Sequence, residues 1–105
     1  MFTASSQLNV TLICGPTDMR KAIDGLCNIV AYDLKKEPCS EHIFVFGGRA
    51  RDKIKILQWS NNGFWLHYKR LEKGSFQWPG IEDEHLSRHI SHRQLNWLLD
   101  GLPLH

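Results

Sequence analysis

Leu8, Val10, Leu12 and Cys14 alternate with mostly polar neighbours, the two-residue period of a half-buried strand, which Gly15-Pro16 then ends. Thr17 is suited to cap a helix with Asp18 in its first turn, and Met19, Ala22, Ile23, Leu26, Ile29, Val30 and Leu34 follow at helical spacing. A helix over 18–34 is predicted, crossing Gly25, where the missing side chain suggests a close approach to the sheet.

Lys35 to Glu41, containing Pro38, reads as a loop, and His42 to Phe46 is apolar on both faces, as in a central strand. Gly47 to Asp52 is a second loop. Strands are expected at 53–59 and 64–71 around Asn61-Asn62-Gly63, with a short fourth strand at 75–78 stopped by Pro79-Gly80. The acidic run Glu82-Asp83-Glu84 reads as a loop. Ser91 caps a last helix over 92–99, with Leu95, Leu98 and Leu99 on one side and Gly101 just past its end. The order implies an α+β fold: an N-terminal strand, a helix, an antiparallel β-meander of three to four strands and a C-terminal helix. Neither a repeat nor a linker divides residues 1–105, so one domain is expected, with residues 1–7 flexible.

A chain of 105 residues buries about two thirds of its unfolded surface, enough for one modest core. Its 42% hydrophobic and 23% charged fractions are those of an ordinary globular protein. No apolar run is long enough to span a bilayer, and Met1 to Val10 lacks the features of a signal peptide, so a cytoplasmic protein is expected. Cys14, Cys27 and Cys39 are odd in number and far apart, and they read as idle or buried thiols rather than a disulfide or zinc framework.

Charge changes this picture more than composition does. Between Arg49 and Lys73 lie seven cations (Arg49, Arg51, Lys53, Lys55, Lys69, Arg70 and Lys73) against Asp52 and Glu72. The rest of the chain holds six of the thirteen cations and nine of the eleven carboxylates, so positive potential is concentrated on one hairpin and suits a polyanionic partner. The hairpin allows two registers. A two-residue Asn62-Gly63 turn sets Trp59 opposite Leu66 and Lys55 opposite Arg70, which mixes apolar and basic groups on each face. A three-residue loop over 61–63 sets Trp59 opposite Trp65, Leu57 opposite His67 and Lys55 opposite Lys69. The second is preferred because it separates an oily face (Ile54, Ile56, Leu66, Tyr68) from a face bearing Lys53, Lys55, Trp59, Trp65, His67 and Lys69. On that face phosphate would relieve lysine repulsion while the indoles stack on bases. Strand lysines also deter edge pairing, and tryptophans on such a face also serve as protein interfaces, so a solvated edge and a docking surface stay open.

Three further groups carry weaker signals. Thr17, Arg20 and Lys21 at the predicted helix start could hold a phosphate on free N–H groups, or Asp18 and Asp24 could simply pair with the two cations. His85, His89 and His92 have helical metal-site spacing but no supporting cysteine or carboxylate, and surface histidines are the better reading. Asp18, Asp24 and Asp52 are the carboxylates a two-metal nuclease would draw on, yet they sit beside cations or in a loop. No nucleophile elbow, phosphate loop or zinc-protease motif occurs, so neither catalysis nor a metal or other cofactor is expected.

The runs Cys14-Gly15-Pro16-Thr17-Asp18-Met19-Arg20-Lys21, Ile23-Asp24-Gly25-Leu26, Phe44-Val45-Phe46, Asp52-Lys53-Ile54-Lys55-Ile56-Leu57 and Gly63-Phe64-Trp65 occur in an order that points to one family. They continue with Tyr68-Lys69-Arg70-Leu71-Glu72-Lys73-Gly74, Phe76, Trp78-Pro79, Gln94-Leu95 and Leu98-Leu99-Asp100-Gly101. Over about Leu8 to Leu102 the chain closely resembles the Orf2-like TnpB accessory proteins of the insertion-sequence-66 family. The resemblance implies a protein of a bacterial mobile element, encoded beside a separate transposase that carries out strand joining. It supplies no defined activity, so DNA binding rests on the residues above. It also shares nothing but a name with the RNA-guided nucleases called TnpB. Two departures stand out: Ser60 where relatives often carry aspartate, and Gly47-Gly48-Arg49-Ala50-Arg51 where they often carry more arginines. DNA and the transposase are the expected partners, RNA is a weaker alternative, no membrane is implied, and a homo-oligomer stays open.

Overall fold

A computed structural model describes residues 9–79 and 87–103. The N-terminal residues 1–7, the acidic run at 82–84 and His85, each given a reading above, lie outside the described residues. Five strands form one mixed sheet: β1 (Asn9–Ile13), β2 (His42–Gly47), β3 (Lys53–Ser60), β4 (Gly63–Arg70) and β5 (Ser87–Ile90), in spatial order β4-β3-β2-β1-β5. β1 and β2 are parallel, joined through the helical segment α1 (Ile23–Asn28), and the other neighbours are antiparallel. The second helix, α2 (His92–Leu99), follows β5. The α+β class and the succession of strand, helix, meander and terminal helix are as expected.

Helices cover both faces of the sheet. Val10, Leu12, Ile43, Val45, Ile54 and Ile56 meet Leu95 and Leu98 of α2 on one face, while Ile13, Phe44, Phe46 and Leu57 meet Leu26 and Val30 on the other. This explains why β2 is apolar on every residue from Ile43 to Phe46 and why all four are essentially inaccessible. β1 departs from the half-buried expectation for the same reason. Flanked by β2 and β5 and covered above and below, it buries even Thr11 completely.

The first helix is shorter than its periodicity predicts. Asp18 accepts the Arg20 N–H on its side chain (2.9 Å) and the Lys21 N–H on its carbonyl (3.1 Å), closing a local turn that competes with helix initiation. Helix therefore begins at Ile23 with Ala22 at its N-cap, and after Asn28 it widens into a π-helical turn over Ile29–Asp33. Thr17 does not cap it. The Thr17 N–H instead donates to the Gly47 carbonyl (2.8 Å) at the end of β2. At Gly25 the close neighbour is the Lys21 side chain, 3.1 Å from where a Cβ would stand, and not the sheet.

Residues 75–78 are not a strand. Phe76 and Trp78 alternate inward onto the α2-side core, but the Phe76 N–H donates to the Arg51 carbonyl (2.6 Å) and the Trp78 indole N–H to the Ile13 carbonyl (3.1 Å). The segment is a strap across the sheet, with one-sided burial and no ladder. β5, conversely, had no legible signal, because its outer residues Arg88 and His89 are polar and exposed and Ile90 is its buried anchor. α2 matches its prediction. Ser91 and Gln94 form a reciprocal capping box. At the other end Gly101 (φ 80°) donates to Leu98 and Leu102 to Trp97, the paired bonds of a Schellman stop.

Candidate nucleic-acid interface

Both hairpin registers drawn from the sequence are wrong by one or two residues. Ser60 pairs with Gly63 around a two-residue Asn61-Asn62 turn, in which Asn61 takes a positive φ of 57° and the Asn62 N–H donates to the Ser60 carbonyl (2.5 Å). Lys55 then faces Tyr68, Leu57 faces Leu66 and Trp59 faces Phe64. The preferred register assumed one oily and one polar face. β3 lies under helices on both sides and buries Ile54, Ile56 and Leu57 alike, so segregation onto one face has no energetic basis. A one-residue slip in β4 relative to β3 sends each β4 side chain to the other face.

The expected basic-aromatic surface is therefore split in two. Trp59, Lys53 and Lys55 share the α1 side with Phe64, Leu66, Tyr68 and Arg70, whereas Trp65, His67 and Lys69 lie on the α2 side beside Ile54 and Ile56. Trp59 is half-buried and packs edge-on against Phe64, with ring centroids 5.0 Å apart.

At the end of the hairpin remote from its turn, the two candidate regions become one. The Thr17 bond to Gly47 and the packing of Met19 on Gly48 draw the 16–21 loop against the 48–53 loop, around a crevice of about 430 Å³ lined by Thr17, Asp18, Arg49, Asp52 and Lys53. Lys55 joins them. Its Nζ donates to the carbonyls of Met19 (2.8 Å) and Lys21 (2.7 Å) and lies 5.4 Å from the Tyr68 ring centroid. Arg20, Lys21, Arg49 and Arg51 are exposed around this corner; Lys53 and Arg70 face each other across the ladder, and Lys73 is exposed just beyond.

Three carboxylates temper the corner: Asp18 pairs with Arg20 (2.8 Å), Asp52 with Lys53 (3.0 Å) and Glu72 with Arg70 (3.0 Å). Hydrogen bonds from Arg20 hold the Asp18 carboxyl down at about 2, and Asp18 in turn raises Arg20; Glu72 does the same for Arg70. The pairing of Asp18 with Arg20 is the plain alternative foreseen for the phosphate site. With helix beginning only at Ile23, no row of free helical N–H groups stands at Thr17.

On the α2 side, Trp65 is 61% exposed and stacks on His67, 6.1 Å between centroids at 18°. Both border an open cleft of about 1070 Å³ between β4 and α2, floored by Ile54 and Ile56 and rimmed by Gln58, Asn96 and Asp100. Lys69 donates to the Leu99 carbonyl (2.7 Å), placing a cation at the negative end of α2, a structural use unforeseen in the sequence. Burial pushes the His67 imidazole below its usual range.

Of the sequence-derived residues, Arg49, Arg51, Lys53, Lys55, Arg70 and Lys73 thus gather with Thr17, Arg20 and Lys21, while Trp59, Trp65 and Lys69 do not. Tyr68 was missed, because the preferred register turned it into the core. His89 lies on β5 near His42 and His92 opens α2, so they share no helix face; among the described residues no group of three or more histidine, cysteine or acidic side chains is placed to hold a metal. Cys14 is buried, Cys27 half-buried and Cys39 exposed.

Comparison with known proteins gives a family match over nearly all of the chain. The family described as IS66 Orf2 like protein matches residues 8–105. The chain is 34% identical over 102 residues to the uncharacterized protein y4hO of Sinorhizobium fredii, covering 97% of this chain and 87% of the relative. It is 31% identical over 102 residues to the uncharacterized protein y4jC of the same organism, covering 97% and 86%. No solved structure matches. No helix among the described residues is long and apolar enough to cross a membrane.

Proposed function

Starting from the chain's membership of the IS66 Orf2 like family, a transposition-associated family, we propose that it is a non-catalytic accessory protein that binds DNA at the basic corner and assists a separate transposase. One observation carries this reading. Two basic stretches some thirty residues apart, around Arg20-Lys21 and Arg49 to Lys55, are held together by the Thr17 and Lys55 hydrogen bonds and meet Arg70 from β4. Convergent cations on loops fit phosphate contact, which supplies most sequence-independent affinity for DNA. The working residues are Arg20, Lys21, Arg49, Arg51, Lys53 and Arg70; Lys55 holds the corner together and Lys73 adds to its field.

A salt series of DNA binding tests the reading. Affinity should fall with log salt at a slope of about 0.9 for each phosphate contact in duplex DNA. Changing exposed Arg20, Arg49 and Arg51 together to alanine should lower affinity at least about tenfold at low salt and flatten that slope. No binding at low salt, or an unaltered triple variant, would sink it.

The exposed Trp65 favours a second reading, in which the protein docks on the transposase and touches no DNA. The β4–α2 cleft combines an aromatic anchor, an apolar floor and a polar rim, the features of an interface hot spot. Under that reading Trp65→Ala abolishes capture of the transposase, and the arginine variant changes nothing.

A further inference from the structure

We infer that the basic corner takes unpaired DNA in preference to intact duplex, with Tyr68 as the platform on which a base stacks. This rests on the DNA reading above and names the form of DNA. Tyr68 is 56% exposed and sits directly opposite Lys55 in the ladder, with the ammonium over its ring, 5.4 Å from the centroid. That ammonium is itself tied to the Met19 and Lys21 carbonyls. A second flat group can land on the open side of the ring.

The surroundings of the ring match a single strand. Arg70 lies two residues on along the same face, about 7 Å away by strand geometry, and Lys53 stands opposite Arg70, so cations flank the ring where the phosphates of a stacked nucleotide would lie. In the other direction Leu66, Phe64 and Trp59 continue the same face as an apolar track towards the turn. In intact duplex the base faces are already stacked on each other, so a protein ring gains nothing there beyond backbone contact. Stacking contributes enough per unpaired base to change affinity by about tenfold or more.

Fluorescence anisotropy at low salt, with one labelled 20-nucleotide strand and the same strand annealed to its complement, provides the test on the wild-type protein and the Tyr68→Ala and Tyr68→Phe variants. The single strand should bind about tenfold more tightly than the duplex, Tyr68→Ala should lose that advantage while leaving duplex affinity unchanged, and Tyr68→Phe should keep it. Equal or tighter duplex binding, or a Tyr68→Ala variant that holds the strand as the wild type does, overturns the preference and leaves the phosphate corner standing. Absence of binding to either form overturns both. Because Tyr68 is exposed, unchanged melting curves verify that the variants are folded.

Discussion

Lys55 and Tyr68 face each other across β3 and β4, and the ammonium of Lys55, 5.4 Å from the Tyr68 ring, also donates to the carbonyls of Met19 and Lys21. A lysine whose position in the sequence suggests a DNA ligand is thus the tie between the hairpin and the loop that precedes α1.

Lys55→Met, which keeps the stem and removes the charge, should therefore cost about 1.5 kcal/mol of stability in urea unfolding, the low end for charge-assisted bonds because part of the site is open to water. Lys53→Met, which loses only a partly exposed ion pair with Asp52, should stay within about 0.5 kcal/mol. Equal effects of the two would show that the carbonyl contacts contribute nothing.

Gly47 is the floor on which the Trp78 ring lies: a Cβ there would stand 2.7 Å from the ring, and the indole is anchored by its bond to the Ile13 carbonyl. Gly47→Ala should destabilise by about 1–3 kcal/mol through overpacking. A midpoint in chemical denaturation matching the wild type would mean that the strap moves aside freely.

The turn depends on Asn61, whose φ of 57° lies where β-branched residues are strained. Asn61→Val should lose about 1–2 kcal/mol, while Asn61→Gly keeps the hairpin register. Cross-strand nuclear Overhauser contacts between Trp59 and Phe64 report on it directly; contacts between Trp59 and Trp65 in the wild type would restore the three-residue loop.

Burial depresses His42, aided by Lys36 and His89, and burial depresses His67, so the folded state favours both imidazoles neutral. The unfolded chain then binds more protons than the folded one once pH falls to the ordinary value of 6.5 and below. Stability contributed by these groups is present above that value and is lost as pH drops through the folded values. The urea midpoint should fall between pH 7.5 and pH 5.5, and a His42→Gln, His67→Gln double variant should show a smaller fall.

Local chemistry made much of the architecture legible. Ser91, Gln94 and Gly101 state where α2 starts and stops, because caps are satisfied by residues a few positions away. The run Ile43-Phe44-Val45-Phe46 marks a strand covered on both faces, and the ordered runs from Cys14 to Gly101 identify the family. Local competition was less legible: the Asp18 turn defeats a helical period that Met19 and Ala22 otherwise satisfy.

Which face each residue of the hairpin occupies is set by long-range packing. That choice turns on α1 and α2 lying on opposite sides of the sheet, so that β3 must be apolar on both, and hairpin periodicity alone carries no record of it. The same long-range packing separates Trp59 from Trp65, assigns Lys69 to the end of α2 and brings Tyr68 out to the surface. The concentration of positive charge in and around the hairpin follows from residue order alone. Hydrogen bonds from Thr17 and Lys55 to carbonyls some thirty residues away decided that the charge meets at one corner, because such bonds depend on how the chain returns to itself and not on any local pattern.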